Sequence, residues 1–294
     1  MTRAGPAVRV RLRRYGAPSA DARAHGISDR VAGEEPLELR HRVGDAWEPL
    51  LVTMRTPGAD FELAAGFLLA EGIVRDRADV RGMAYCVDVD ESQRYNVVNV
   101  DLGPGARRPE PHELRRFAAT SACGVCGKAQ LEALEVAGCR PVPTSPPAPA
   151  SLITSLPERM RAQQALFDRT GGLHAAALFT PDGALMALRE DVGRHNALDK
   201  VLGWALLQGH VPLRGALVCV SGRASFELAQ KCVVAGVAVL AAVSAPSSLA
   251  IDVARRFGLA LAGFVRDGRF NLYAGEERVV DDLSVVPRST SVPR

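Results

Sequence analysis

The pattern of apolar and polar positions in the second half of the chain predicts strands that alternate with helices. Residues 216–220 and 237–243 are apolar without interruption, which indicates strands buried on both faces of a sheet. Helices that connect such strands must cover both faces by right-handed crossovers, so the pattern predicts an α/β domain. The strands predicted here are 174–179, 184–188, 216–220, 237–243, 259–264 and 270–273, and the helices are 194–207, 225–235 and 247–257.

The first half of the chain is predicted to be richer in strands. PLELRHR and WEPLLVTMR alternate apolar and polar residues on either side of Val43–Asp45, which predicts a hairpin. Pro57–Asp60 then ends the strand and caps a helix over Phe61–Glu71, which stops at Gly72. Residues 85–90 and 96–101 predict a second hairpin. Near the N-terminus, VRVRLRR predicts one strand with a solvated basic face rather than a basic arm.

A composition break divides the chain. PVPTSPPAPA at residues 141–150 contains five prolines and no charge, which is typical of an extended linker. With 294 residues, the chain is long enough for about two domains. The predicted organisation is an extension over 1–32, a strand-rich subdomain over 33–140, the linker over 141–150, an α/β domain over 151–280 and a tail over 281–294.

Composition and charge exclude several classes of protein. With 47% hydrophobic and 23% charged residues the chain is not disordered throughout, and a net charge of +3 is too small for a wholly basic nucleic-acid binder. The N-terminus has Arg where a signal peptide needs an apolar core. The longest apolar run, Cys232 to Val243, has twelve residues, short of the roughly 20 of a membrane helix. We therefore expect a cytoplasmic protein with neither a nucleic acid nor a membrane as partner.

The sharpest chemical feature is the segment Thr120-Ser-Ala-Cys123-Gly-Val-Cys126-Gly-Lys128. A helix N-terminus capped by Thr120 or Ser121, with Lys128 nearby, would stabilise a nucleophilic thiolate on Cys123. Structural zinc, thioredoxin-like exchange and an incidental pair of thiols are the alternatives, and no second CxxC supplies further zinc ligands. The cysteines within apolar patterns are expected to pack in the core, and these are Cys86, Cys219 and Cys232.

Four loops at predicted strand ends share one chemical character. They combine small hydroxyl residues, helix N-termini and Arg or His, which suit an anionic group such as a phosphate. The sequence has neither a GxxxxGK[ST] loop nor a GxGxxG fingerprint. His195, beside Arg194 and Asp191, is the stronger functional candidate, whereas His174 fits a half-buried structural imidazole equally well. The four loops are 190–196, 221–225, 244–248 and 264–269.

Seven motifs in this order resemble the formate dehydrogenase accessory sulfurtransferase family, FdhD, from about residue 33 to residue 280. They are MRTPGADFELAAGFLLAEGIV, SACGVCGK, TGGLHAAAL, EDVGRHNALDK, SGRASFELAQK, SAPSSLA and GFVRDGRFNLY. The resemblance implies an α/β fold in which a cytidine deaminase-like three-layer C-terminal domain follows a smaller strand-rich N-terminal subdomain. It also implies a cytoplasmic homodimer.

The function implied by this resemblance is sulfur transfer. A sulfurtransferase of this kind takes sulfur from a cysteine desulfurase as a persulfide, and Cys123 matches the persulfide position with Cys126 as its partner. The sulfur passes to the molybdenum cofactor, a bis(molybdopterin guanine dinucleotide), before the cofactor enters formate dehydrogenase. A guanine nucleotide would occupy the same site, in which Arg266 and Arg269 would contact phosphate or base edges. The matching cofactor segment is Phe264, Val265, Arg266, Asp267, Gly268 and Arg269, and further candidates are Arg194, His195, Ser221 and Arg223.

Two other functions compete with this one. A non-enzymatic chaperone would hold the cofactor, with the thiols incidental. A zinc deaminase needs a His- or Cys-x-Glu motif followed by Pro-Cys-x-x-Cys. Here the Cys pair precedes His174, alanines follow that histidine, and Ala122 stands in place of the proline, so no metal site is expected.

Overall fold

The computed structural model describes residues 5–12, 27–109 and 139–282, and Cys123 and Cys126 lie outside this part of the chain. The chain divides into two compact units, each assembled from separate stretches, whereas the sequence predicts domains continuous along the chain. Unit 1 comprises Met1–Val125, Ala162–Ala176 and Leu188–His210, and unit 2 comprises Cys126–Arg161, Ala177–Ala187 and Val211–Arg294. No helix in the described stretches is both long and apolar enough to cross a membrane.

Unit 1 contains a four-stranded sheet in the order β4-β3-β6-β5. The predicted first hairpin is confirmed, with β3 at Glu35–Val43 antiparallel to β4 at Ala46–Arg55. Leu37 and Leu39 alternate with polar residues and are fully buried on one face. The second hairpin also forms, between β5 at Val80–Tyr85 and β6 at Val97–Leu102. Its first strand ends where 85–90 was predicted to begin, because the connection is longer and includes a 3₁₀ turn at Glu91–Gln93.

A separate two-stranded hairpin lies at the N-terminal end of unit 1. β1 at Ala7–Leu12 confirms the predicted strand, and it pairs antiparallel with β2 at Ile27–Ala32. The hairpin contacts the short helix α3 at Ala165–Thr170. The carboxylate of Glu190 accepts hydrogen bonds from the first backbone amides of α3, which holds this helix in place.

Two long helices, predicted from the sequence, pack against each other within unit 1. They are α1 at Asp60–Ala70 and α4 at Arg194–Leu207. Their backbones meet at Gly66 and Gly203, where a Cβ would lie 1.8 Å from the carbonyl oxygens of Asp199 and Glu62, respectively. Only glycine permits so close an approach, which lets the two helices share one core.

A six-stranded sheet follows the order β13-β12-β11-β10-β8-β9. Strands β10, β11 and β12 are parallel, and β12 turns back into the antiparallel β13. The side chains of β10 and β11 are fully buried along their length, as the uninterrupted apolar runs predict. The strands are β8 His174–Phe179, β9 Leu185–Asp191, β10 Leu217–Val220, β11 Val239–Ala242, β12 Ala260–Arg266 and β13 Arg269–Ala274.

Two helices of unit 2 begin and end within a residue of the predicted positions. α5 at Phe226–Ala235 and α6 at Ser248–Phe257 connect successive parallel strands, as crossovers must. Each helix ends at a glycine of positive φ, Gly236 or Gly258, which accepts the left-handed conformation of a C-cap without strain. With strands and helices in regular alternation, the predicted mixed α/β fold is confirmed.

The proline-rich residues 141–150, predicted as a linker, pack within unit 2. β7 at Ala148–Pro149 pairs with β14 at Val279–Val280, and α2 at Ala150–Arg161 follows directly. The guanidinium of Arg278, only 8% exposed, donates hydrogen bonds to the carbonyl oxygens of Val142 and Pro143. Because proline has no N–H, the segment forms only the short β7 ladder, and Arg278 satisfies the carbonyl groups of Val142 and Pro143.

Candidate functional site

Three of the four predicted strand-end loops come together in unit 2. They follow the adjacent parallel strands β10, β11 and β12, so their carboxyl ends share one edge of the sheet. Backbone hydrogen bonds connect them: Ala224 N–H donates to Ala245 O at 3.2 Å, and Ser247 N–H donates to Ala224 O at 2.9 Å. Phe264 N–H donates to Ser244 O at 3.2 Å. The loops therefore form one backbone-braced surface.

The segment 264–269 is the most distorted part of this surface. Phe264 has φ 54° and Asp267 has φ 53°, which are uncommon for residues with a Cβ, and a bulge shifts the register of β12 against β13. At Asp267 this is the ordinary conformation of a two-residue hairpin turn with Gly268, whereas at Phe264 it costs about 1–2 kcal/mol, and such strained residues cluster at functional sites. The bulge presents the half-buried Phe264 ring with the Arg266 guanidinium 5.7 Å from its centroid.

Close packing beneath the bulge fixes the position of the Phe264 backbone. A Cβ at Gly263 would lie 2.8 Å from Cδ of Pro246 and 3.0 Å from a ring carbon of Tyr273. Val265, another predicted cofactor residue, is 0% exposed, so only its backbone could meet a ligand. The segment can thus present an aromatic face, backbone amides and guanidinium groups to a planar, anionic molecule.

The predicted arginines at this edge are accessible. Arg223, Arg266 and Arg269 are exposed and make no ion pair within the described part of the chain. Ser221 is half-buried. Ser247, by contrast, uses its hydroxyl to cap α6, accepting a hydrogen bond from Ala250 N–H at 3.2 Å, which is the ordinary structural role of such a serine.

The fourth loop, at residues 190–196, lies in unit 1 and is built around a buried ion pair. Lys200 Nζ lies 2.6 Å from Asp191 Oδ2, and the two residues are 2% and 0% exposed. The same carboxylate accepts hydrogen bonds from the backbone N–H groups of Thr56 and Gly193, and Lys200 donates to Thr56 O at 2.8 Å. Asn196 completes the network by donating to Met54 O at 2.7 Å. This network holds the loop in one conformation ahead of α4.

Unit 1 contains a second buried ion pair, between Arg55 and Asp60. Arg55 Nε donates to Asp60 Oδ1 at 3.0 Å, and the Tyr85 hydroxyl donates to Asp60 Oδ2 at 2.8 Å. Burial acts to raise the pKa of Asp60, but the hydrogen bonds and charge of Arg55 outweigh it and lower that pKa. Asp60 is therefore ionised at neutral pH, and α1 starts on a fixed carboxylate.

The predicted residues Arg194 and His195 begin α4, and both act electrostatically on His174. Burial lowers the pKa of His174, and the charges of Arg194 and His195 lower it further. His174 is thus neutral at pH 7 and can accept or donate a hydrogen bond. Arg194 Nε is buried and has no hydrogen-bond partner among the described residues, so this end of α4 retains an unused donor.

Sequence reasoning missed the two ion pairs, although a signal was present. Lys200 ends the motif EDVGRHNALDK, where it interrupts a helix that is otherwise buried. A lysine and an acid in such a helix indicate an internal pair, but the sequence does not show which acid the lysine meets. Arg55 gave no comparable signal, since it ends a strand that is half exposed.

The described cysteines are structural. Burial raises the pKa of Cys219 to about 12 and that of Cys232 still higher, and it also raises the pKa of Cys139. Cys86 is buried as well, which confirms the predicted packing role of this cysteine and of the pair at 219 and 232. The thiols of Cys139, Cys219 and Cys232, whose pKa values are raised, are protonated at neutral pH and are poor nucleophiles.

Comparison with known proteins agrees with the motifs. The model of the FdhD/NarQ family matches residues 32–280. A protein of Streptomyces coelicolor named sulfur carrier protein FdhD is 53% identical over 255 residues, covering 85% of this chain and 89% of that protein. A protein of the same name from Mycolicibacterium paratuberculosis is 54% identical over 250 residues, covering 84% and 90% of the two chains. One from Anaeromyxobacter dehalogenans is 48% identical over 262 residues, covering 86% and 89%.

A solved structure shares the fold. It is a crystal structure from Desulfotalea psychrophila, named provisionally as a formate dehydrogenase accessory protein. The TM-score is 0.70 at 24% sequence identity, over 93% of this chain and 98% of the other. At this identity the likeness extends to the fold alone.

Proposed function

Because the chain belongs to the FdhD/NarQ family, we propose that it carries sulfur as a persulfide to the molybdenum cofactor for formate dehydrogenase maturation. The sulfur donor is a cysteine desulfurase, and the substrate is the bis(molybdopterin guanine dinucleotide) form of the cofactor. The single observation that carries this proposal is the chemistry of the thiols. Of the described cysteines, Cys86, Cys219 and Cys232 are buried and Cys139 is partly buried, and burial raises the pKa values of Cys139, Cys219 and Cys232, which leaves Cys123 and Cys126 for nucleophilic work.

The chemistry balances in two steps. The Cys123 thiolate attacks the outer sulfur of the donor's persulfide, the donor's S–S bond breaks, and the donor leaves as a thiolate. Attack by the Cys126 thiolate on Cys123 of the new persulfide then releases sulfide and leaves a Cys123–Cys126 disulfide. The sulfide replaces an oxo ligand of the cofactor with loss of water, and a dithiol reductant reopens the disulfide. Glycines beside both cysteines suit a segment that must meet a donor and then an acceptor.

The strand-end surface of unit 2 supplies the chemistry for the nucleotide part of this substrate. Phe264 offers a face on which a guanine can stack, while Arg266, Arg269 and Arg223 offer guanidinium groups for pyrophosphate oxygens. On this basis a guanine nucleotide alone binds the same surface. In unit 1, the buried donor of Arg194 together with His195 is the second place where such an anion could be held.

Further properties are proposed from the family rather than from contacts. They are a cytoplasmic location, a homodimer, and a fold of the C-terminal domain that is similar to that of cytidine deaminases. Transfer partners are the desulfurase and formate dehydrogenase, and the activity is that of a sulfurtransferase.

The deciding experiment is mass spectrometry of the full chain after incubation with a cysteine desulfurase and cysteine. We expect the peptide with Cys123 and Cys126 to gain one sulfur atom that a reductant removes, and Cys123→Ala to abolish this gain. Cys219→Ala, which removes a buried thiol, is the matched control and should load normally.

The alternative function, a chaperone that only holds the cofactor, makes the opposite prediction. In that case no sulfur is gained with a competent desulfurase, and Cys123→Ala still supports activation of formate dehydrogenase. That pair of results would overturn the carrier proposal while leaving the nucleotide surface of unit 2 as the functional site.

A further inference from the structure

The N-terminal hairpin of unit 1 carries unpaired arginines on one face. In the register of β1 and β2, Arg9 lies directly opposite Arg30, and Arg11 lies opposite Ser28. Register partners point to the same face of an antiparallel pair, and like charges in direct opposition destabilise it. The hairpin therefore keeps an arrangement that its own stability does not favour.

A third element adds to this charge. Arg169, in the last turn of α3, lines one surface depression together with Arg9, Ser28, Asp29 and Arg30. These three arginines and Arg11 are exposed, and they make no ion pair within the described stretches. Asp29 makes no ion pair with these arginines, and in the strand register it is opposite Val10, on the other face of the hairpin. We call Arg9, Arg11, Arg30 and Arg169 the arginine face.

The backbone of the hairpin offers a second recognition element. β1 and β2 form a sheet of only two strands, so each has one edge unpaired by another described strand. Helix α3 packs mainly against β2, which leaves the outer edge of β1 for the addition of a strand. Arg9 and Arg11 lie two residues apart, which is about 6.8 Å in a strand and equals the spacing of alternate side chains in any strand added beside it.

We propose that the arginine face binds an acidic segment of a partner protein, which adds to β1 as an extended strand with carboxylates at alternate positions. The opposite face of the hairpin favours a protein over a nucleic acid, because Val8 and Val31 are 46% and 40% exposed and can be covered by a partner's apolar side chains. Neither strand contains an aromatic residue on which bases could stack. The surface lies almost wholly before residue 32, where the match to the family begins, so it does not depend on the proposed sulfur transfer.

The test uses the full chain and a fluorescent peptide in which Glu and Thr alternate. We expect saturable binding by anisotropy at about 50 mM NaCl that is lost at about 500 mM, because exposed charges are screened. A peptide of the same composition with its Glu residues in one block should bind about tenfold more weakly, since only the alternating peptide matches the strand spacing.

One variant separates binding from folding. Arg9→Glu places a carboxylate opposite Arg30, so the hairpin should become no less stable while the peptide affinity falls about tenfold or more. The control Arg255→Glu makes the same charge change on the exposed surface of α6 and should bind as the wild type does.

Three results would overturn the proposal. They are equal binding of both peptides, unchanged binding by Arg9→Glu, or tighter binding of oligothymidine or tripolyphosphate than of the alternating peptide. The last result would assign the arginine face to a phosphate-bearing ligand instead.

Discussion

The two units differ in where they bury charge. Unit 1 holds two ion pairs in its interior, Arg55–Asp60 and Asp191–Lys200, and each of these residues is at most 2% exposed. Among the described residues of unit 2 the buried charged side chains are Lys231 and Arg278, and Arg278 meets backbone carbonyl groups. A buried pair is expensive to assemble but fixes geometry. Buried ion pairs thus hold the loop at residues 190–196 in unit 1, whereas backbone hydrogen bonds and apolar packing hold the strand-end loops of unit 2.

The largest effect on stability is expected from a substitution that breaks an ion pair of unit 1. Lys200→Met removes the partner of a carboxylate that is 0% exposed and should cost about 3–5 kcal/mol in the free energy of unfolding. Arg278→Met in unit 2 removes donors from carbonyl groups but strands no charge, so it should cost about 1–3 kcal/mol. Urea unfolding of both variants measures the contrast. If Arg278→Met costs as much as Lys200→Met, the difference between the units is not one of buried charge.

The second effect concerns the helix contact that supports the charged core of unit 1. Gly203→Ala would place a methyl group 1.8 Å from Glu62 O, and because that atom is backbone, the helices must separate. We expect a loss of about 3 kcal/mol, at the upper end for overpacking. Gly82→Ala is the control, since a Cβ at that position meets nothing within 4 Å. Equal thermal unfolding of the two variants would refute the close helix contact.

The two units also differ in how much of their structure the sequence predicts. Strands β10 to β13 and helices α5 and α6 were predicted to within a few residues, because uninterrupted apolar runs, serine caps and terminal glycines are local signals. Helix α2 and the short strands β7 and β14 of unit 2 were not predicted. The three loops at its sheet edge could be placed together from topology alone. The positive φ of Phe264 could not be predicted from the sequence, because a bulge depends on the register of two paired strands.

In unit 1 the decisive contacts span long stretches of chain. Thr56 and Asp191 are bonded across 135 positions, and no local pattern identifies that pairing. In unit 2, the proline-rich segment 141–150 was predicted as a linker because prolines indicate an extended connection. Its docking depends on Arg278, which is remote in sequence.

A smaller effect is expected from substitutions of Phe264 in unit 2. Phe264→Gly relieves the strain of a positive φ but removes the ring, so we expect stability within about 1 kcal/mol of wild type. Under the proposed function the affinity for a guanine nucleotide should still fall about tenfold, the value of one stacked base. Phe264→Ala keeps the strain and should be less stable than Phe264→Gly. Calorimetric titration with GDP measures the affinity, and unchanged binding by both variants would remove Phe264 from the site.

The smallest expected effect is a pH dependence in unit 1. Burial and the neighbouring Arg194 lower the pKa of His174 in the folded state, so the unfolded chain binds its proton more readily. The contribution of neutral His174 to stability is therefore complete above about pH 6.5, the ordinary histidine value, and is lost as the pH falls below it. Urea unfolding between about pH 7.5 and pH 5.5 should show this loss in the wild type and less of it in His174→Gln.

The direction in which the free energy of unfolding changes with pH tests how the charges of unit 1 act on His174. His210→Gln, at an exposed position in the same unit, is the control and should keep the wild-type slope. If instead His174→Gln steepens the loss of stability at low pH, His174 gains a proton favourably in the folded state. Asp191 would then have to dominate the electrostatic environment of His174, although its carboxylate is already paired with Lys200. Such a result would mean that the buried ion pair leaves a net negative field at the start of α4, and an anion could not be held there by Arg194.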